Sequence, residues 1–143
     1  ARGYSSSIHL EEFIKIDINF RNDTIAKKWK QIKDIRKVIT GALEIKRAGK
    51  TIGSSLESHI DVYLSKEIKS IIENIDLSEI AITSSASLIV GKNPSSGFSL
   101  DDIKEVVVHV KKAKGLKCKR CWKFDNEINS NGICKRCSDA IKK

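Results

Sequence analysis

Apolar residues recur near the helical period from Ile25 through Trp29, Ile32, Ile35, Ile39 and Ala42 or Leu43, with long stems at Arg36 and Lys46 filling the gaps. This pattern predicts a long helix that ends near Ala48 and Gly49, with Asn22 or Asp23 as its cap. Residues 1–23 read as an extended lead-in, in which Ile14, Ile16 and Ile18 alternate with Lys15 and Asp17. After Thr51-Ile52-Gly53-Ser54-Ser55 the alternation of Ile60, Val62 and Leu64 predicts a strand, and residues 66–74 a second helix. Ile80 and Ile82, continuing irregularly to Leu88-Ile89-Val90, read as another strand. Gly91 to Gly97, which holds the single proline, reads as a turn or loop. Val106, Val108 and Val110 alternate with Val107, His109 and Lys111 and predict a strand with a mixed outer face. The expected class is α+β: a long basic helix and a small α/β unit, followed by a separate tail.

The tail carries all four cysteines, as Cys118-Lys119-Arg120-Cys121 and Cys134-Lys135-Arg136-Cys137. Two C-x2-C knuckles twelve residues apart can turn four thiolates and neighbouring N–H groups toward one tetrahedral Zn²⁺. Residues 122–133 have too few apolar side chains to close on their own, so metal would supply the missing folding energy. Trp122 and Phe124 are expected to cover one side of the site and Ile133 the other, with Trp122 packed rather than exposed. A pair of disulfides is disfavoured, because no secretory signal is visible and the cysteines do not staple the other hundred residues. A redox C-x-x-C would sit in a larger βαβ framework, and four thiolates leave no open position for a catalytic water. The zinc is expected to be structural, although four thiolates also accept iron.

Charge sharpens this picture. The chain has 143 residues and a formal net charge of +9, distributed in blocks: −1 over residues 1–24, +7 over 25–50, −5 over 51–110 and +8 over 111–143. Zinc on four thiolates would leave the tail at about +6, so it stays basic. Such blocks fit a polyanion met at two surfaces. The helix presents Lys27, Lys28, Lys30, Lys33 and Lys37, with Arg36 and Arg47 able to grip phosphates in bidentate fashion. Lys117, Lys119, Arg120, Lys123, Lys135 and Arg136 surround the knuckles, where Trp122 or Phe124 could stack on an unpaired base.

Catalytic signals are missing. There is no G-x-S-x-G, H-E-x-x-H, P-loop or dinucleotide fingerprint. His9, His59 and His109 read as satisfied surface or strand histidines, and Asp101 and Asp102 as a turn or cap. Thr51 to Ser55 admits two readings, a phosphate cradle or a plain helix-to-strand connection. The size is too small for most multi-substrate enzymes, and no apolar run is long enough to span a bilayer. The absence of methionine, even at position 1, points to a piece of a longer product.

Taken together, Ser7-Ile8-His9-Leu10 with Phe13, the Trp29 helix through Arg36-Lys37-Val38 to Ala42-Leu43-Glu44 and Arg47, and Lys50-Thr51-Ile52-Gly53-Ser54-Ser55-Leu56-Glu57 form a recognisable series. A weaker segment over 77–84, Val108-His109-Val110, Lys117-Cys118-Lys119-Arg120-Cys121-Trp122 and Ile133-Cys134-Lys135-Arg136-Cys137 complete it. The series resembles the C-terminal portion of bacterial-type isoleucyl-tRNA synthetases over nearly the whole chain. Ile14 stands where that family often has proline.

The resemblance implies a class I synthetase that makes isoleucyl-adenylate from ATP and loads tRNA(Ile), with its ATP site in a catalytic domain absent here. It implies that residues 1–50 end the helical anticodon-binding domain, 51–111 form an α/β junction and 112–143 the zinc module. It assigns Cys118, Cys121, Cys134 and Cys137 as ligands of one structural zinc, and matches Arg36, Glu44, Arg47 and Lys50 to the helix and the turn after it. The expected partners are tRNA(Ile) and the remainder of the synthetase, with a monomeric, cytoplasmic protein and no membrane contact. Two rivals are a free-standing zinc module that binds RNA or docks on protein, and the zinc-containing end of a DNA glycosylase. The latter activity uses an N-terminal proline, and the sole proline here is Pro94.

Overall fold

A computed structural model describes residues 7, 9, 12–91 and 94–142. Parts of the expected lead-in and of the 91–97 loop lie outside these residues. The described part of the lead-in is exposed and irregular, apart from a 3-10 turn at Ile18–Phe20, so the expected extended alternation does not become a strand.

Helix α1 spans Asp23–Ala48, and the Asn22 side chain caps it by accepting from the Ile25 N–H. Its buried stripe is Ile32, Ile35, Val38, Ile39, Ala42 and Leu43. The first two positions of the predicted stripe do not join it, since Ile25 is 53% and Trp29 42% exposed. Residues 23–31 of the helix are exposed, and its buried stripe begins only at Ile32. Gly41 lets the helix approach closely, because a Cβ there would meet the Phe98 ring at 2.5 Å.

Strands β1 (Ser58–Leu64), β2 (Ser85–Val90), β3 (Phe98–Leu100) and β4 (Ile103–Lys112) form one mixed sheet in the order β2-β1-β4-β3. β1 pairs parallel with β2 and antiparallel with β4. The parallel connection carries α2 (Lys66–Ile72) and α3 (Leu77–Ala81). Here the sequence reading is corrected, because Ile80 is helical rather than part of a strand. Asp76 accepts from the N–H groups of Ser78 and Glu79 and so starts α3, while Ile82 ends it in the left-handed conformation at φ 56°.

One face of the sheet is apolar and meets the helices. Ile60, Val62 and Leu64 alternate inward beside Val106, Val108 and Val110, and share a core with α1, Ile72 of α2 and Leu77 of α3. Residue 50, a boundary expected from the sequence, therefore separates two segments that contribute to a common core. The other face carries the polar pairs His59 opposite Lys111 and Asp61 opposite His109 in the β1–β4 register, followed by Tyr63 opposite the buried Val107.

The Thr51 to Ser55 segment connects α1 to β1, and two of its N–H groups, those of Thr51 and Gly53, are already engaged within the chain. Ile52 is buried, and the Gly53 N–H donates to Glu57 Oε2 at 2.9 Å. A carboxylate in that position disfavours the phosphate alternative.

Candidate metal centre and its basic surroundings

The tail builds its two knuckles differently. A short hairpin, β5 (Leu116–Lys117) and β6 (Phe124–Asp125), brackets the first knuckle. The Trp122 N–H donates to the Cys118 carbonyl and the Cys118 N–H to the Lys123 carbonyl, which folds the chain sharply around the two sulfurs. The second knuckle is the start of helix α4 (Lys135–Ile141), with Cys134 at the cap and Cys137 in the first turn. Between them, Asn129 Oδ1 accepts from the N–H groups of Asn131 and Ile133, closing the turn that α4 follows.

These elements bring Cys118, Cys121, Cys134 and Cys137 together, with all four sulfurs within 4.8 Å of one another. Zn–S bonds of about 2.3 Å in a tetrahedron place neighbouring sulfurs about 3.8 Å apart. The Cys121 and Cys134 sulfurs are 3.8 Å apart. The donor set thus fits a closed four-thiolate site, and no water-accessible fifth partner is needed to complete it.

Backbone and side-chain donors address the sulfurs. Burial works to push the Cys118 thiol up, but the N–H groups of Cys121, Cys134 and Arg120 outweigh it and bring it to about 6. Burial pushes the Cys121 thiol up to about 12, with the three neighbouring sulfurs adding to it. A dication removes that conflict by neutralising the charge that the sulfurs otherwise impose on one another. Arg120 donates to the Cys137 sulfur at 3.6 Å, so its guanidinium serves the metal site directly.

The apolar wall differs from the expectation. Ile133 is buried among the cysteines and Ile128 packs beside it, but Trp122 is 60% exposed at φ 65° and Phe124 is only half-buried outside that cluster. The tight first knuckle turns Trp122 outward, where Lys117 Nζ lies 5.5 Å from the ring centroid.

The proposed phosphate-facing cations fall into two groups. Lys33, Lys50, Lys117, Lys119 and Lys135 are exposed, as is Arg47, which is bonded to Glu44 at 2.8 Å. Lys123 is half-buried. Arg36 donates to the Ile80 carbonyl at 3.1 Å, Lys37 pairs with Asp102 at 2.9 Å and Arg136 with Glu79 at 3.4 Å. Those three exposed side chains therefore also tie α1 and α4 to the body. Arg36 of α1 and Arg136 of the second knuckle both reach α3, at the neighbouring residues Ile80 and Glu79.

Sequence reasoning missed Ser84, which joins the two modules. Its hydroxyl donates to the Leu56 carbonyl and accepts from the Phe124 N–H at 2.7 Å. A serine in a run of serines gives no signal that would single it out. Two of the three histidines are satisfied as expected: His59 lies between Ser85 and Asp61, and His109 reaches the Ser96 carbonyl.

A closed four-thiolate knuckle docked on a two-layer unit of helices and mixed sheet defines a small α+β protein with a structural zinc site. The chain is 42% identical over 128 residues to the isoleucine–tRNA ligase of Bartonella henselae, 41% over 128 to that of Brucella abortus and 37% over 128 to that of Agrobacterium fabrum. Each comparison covers 89% of this chain. The chain belongs to the isoleucine–tRNA ligase family. It spans 13% of the length of these relatives. No protein-family model matches it. Among the described residues no helix is long and apolar enough to cross a membrane.

Proposed function

We propose that this chain is the tRNA-binding C-terminal region of an isoleucyl-tRNA synthetase and supports recognition of the anticodon side of tRNA(Ile). ATP-dependent attachment of isoleucine belongs to a catalytic domain outside this chain, and the whole enzyme works as a cytoplasmic monomer. Residues 1–50 close the helical anticodon-binding domain, 51–111 form the junction and 112–143 the zinc module. The observation that carries this reading is a four-thiolate knuckle ringed by exposed cations, in a chain of this family. Cations on a metal-fixed scaffold bind phosphates in a defined register, whereas the same lysines on an unfolded tail would bind any polyanion.

The test is a titration of the zinc-loaded chain with tRNA(Ile) and with a non-cognate tRNA at two salt concentrations, with metal stoichiometry measured on the same sample. Tighter binding of tRNA(Ile) with one zinc per chain is the expected result. Equal or absent binding with zinc in place refutes selection by this region. It would favour a structural appendage or a general docking module.

A further inference from the structure

A cleft of about 600 Å³ opens where β1 begins, β4 ends and the zinc hairpin docks on the sheet. Its size is that of a small-ligand site. His59 and Ser85 line the sheet side, and their ring nitrogen and hydroxyl lie 2.7 Å apart. Lys111 also lines it, held to Asp61 at 2.5 Å. Lys112, the last residue of β4, and Lys114 line it too, and among the described residues neither ammonium group has an ion-pair or hydrogen-bond partner.

The opposite wall comes from the metal module. Phe124 and Asn126 line it, and the bond from the Phe124 N–H to Ser84 fixes that wall against the sheet. Asp125 is the one acidic residue among those lining the cleft, and its Oδ1 accepts from the Glu127 N–H.

Resting on the tRNA-binding reading, we infer that this cleft holds one unpaired nucleotide of the bound RNA. Lys112 and Lys114 take the phosphate, Phe124 offers a stacking face and Asn126 meets the base edge. A simple anion would engage the lysines alone. An aromatic ring, an amide and two unpaired ammonium groups around one cleft suit a nucleotide, since single-stranded recognition combines stacking with backbone charge. The zinc then contributes to RNA binding by holding one wall in place, without touching the nucleic acid.

The test uses the ¹⁵N-labelled, zinc-loaded 143-residue chain titrated with an RNA hairpin carrying the tRNA(Ile) anticodon loop, with polyglutamate and with inorganic phosphate. The hairpin is expected to shift the amide resonances of Ser84, Ser85, Lys112, Lys114, Phe124 and Asn126. The double variant Lys112→Gln, Lys114→Gln should lower the salt slope of binding by about 1.4, at about 0.7 per contact with a single strand. Phe124→Leu should weaken binding about five- to hundredfold. Hairpin binding that leaves these resonances unmoved and is unchanged in the lysine double variant overturns the cleft assignment while tRNA binding stands. Polyglutamate or phosphate producing the same shifts at equal affinity reduces the cleft to a general anion site. Failure of the hairpin and of tRNA(Ile) to bind at all would remove the tRNA-binding reading, and this assignment with it.

Discussion

Replacing Cys121 with serine tests the coupling between metal and fold. The tail's cluster consists of the cysteines with Ile133 and the partly buried Ile128. Full burial of two isoleucines contributes about 3–6 kcal/mol, at about 1.5–3 kcal/mol each. Structural zinc contributes about 10–16 kcal/mol in small knuckle peptides, so the ion dominates. The body has a core of its own, centred on Ile60, Val62, Val106, Val108 and the α1 stripe. Cys121→Ser should therefore lower zinc affinity by more than the 10–100-fold that loss of an outer-shell partner costs. Resonances from Leu116 to Ile141 should collapse toward random-coil positions while those of the body persist. Amide correlation spectra and native mass spectrometry report both effects on one sample. A variant that retains one tightly held metal and a native tail spectrum would refute the four-thiolate assignment.

Two further perturbations separate the metal site from the sheet. Arg120→Gln removes the donor to the Cys137 sulfur and should cost 10–100-fold in zinc affinity, read by competition with a chromophoric chelator; unchanged affinity would return Arg120 to the free surface cations. On the polar face of the sheet, burial works to raise the Asp61 carboxyl, but hydrogen bonds from Lys111 and His59 outweigh it and hold it below the usual carboxylate range. Its folded pKa lies below the unfolded one, so its contribution is present above about pH 4 and is lost as pH falls through the folded value. Asp61→Asn should flatten this part of the acid unfolding profile and destabilise the chain at pH 7 by about 1–2 kcal/mol, a figure discounted for the exposure of Lys111. An unaltered acid profile by circular dichroism would show that the pair contributes nothing.

Cysteine spacing determined the metal site before any fold was known, because two residues between thiolates is a local geometric requirement. The same locality made α1, β1 and β4 legible, since each repeats its apolar positions over enough residues to expose a period. Short elements gave no such repeat. Residues 77–81 carry an isoleucine that reads as strand, and only the Asp76 cap and the available core decide for helix. β3 has three residues and exists because β4 offers its edge. The α1 stripe also promised more burial than it receives, because periodicity shows which face is apolar and not where its partner ends.

Other features depend on residues far apart in the chain. The tightness of the first knuckle decides that Trp122 faces solvent, which reverses the expectation drawn from its place beside a ligand. Docking decides that Ser84 bonds to Phe124, forty residues away, and that Lys112 and Lys114 face the same cleft as that ring. Sequence by itself determined the four ligands, the charge blocks and the main helix and strands, all of which follow from short-range spacing. Tertiary structure alone decided which cations are engaged within the fold and which side chains converge on the cleft, because such contacts depend on how elements pack and leave no periodic trace along the chain.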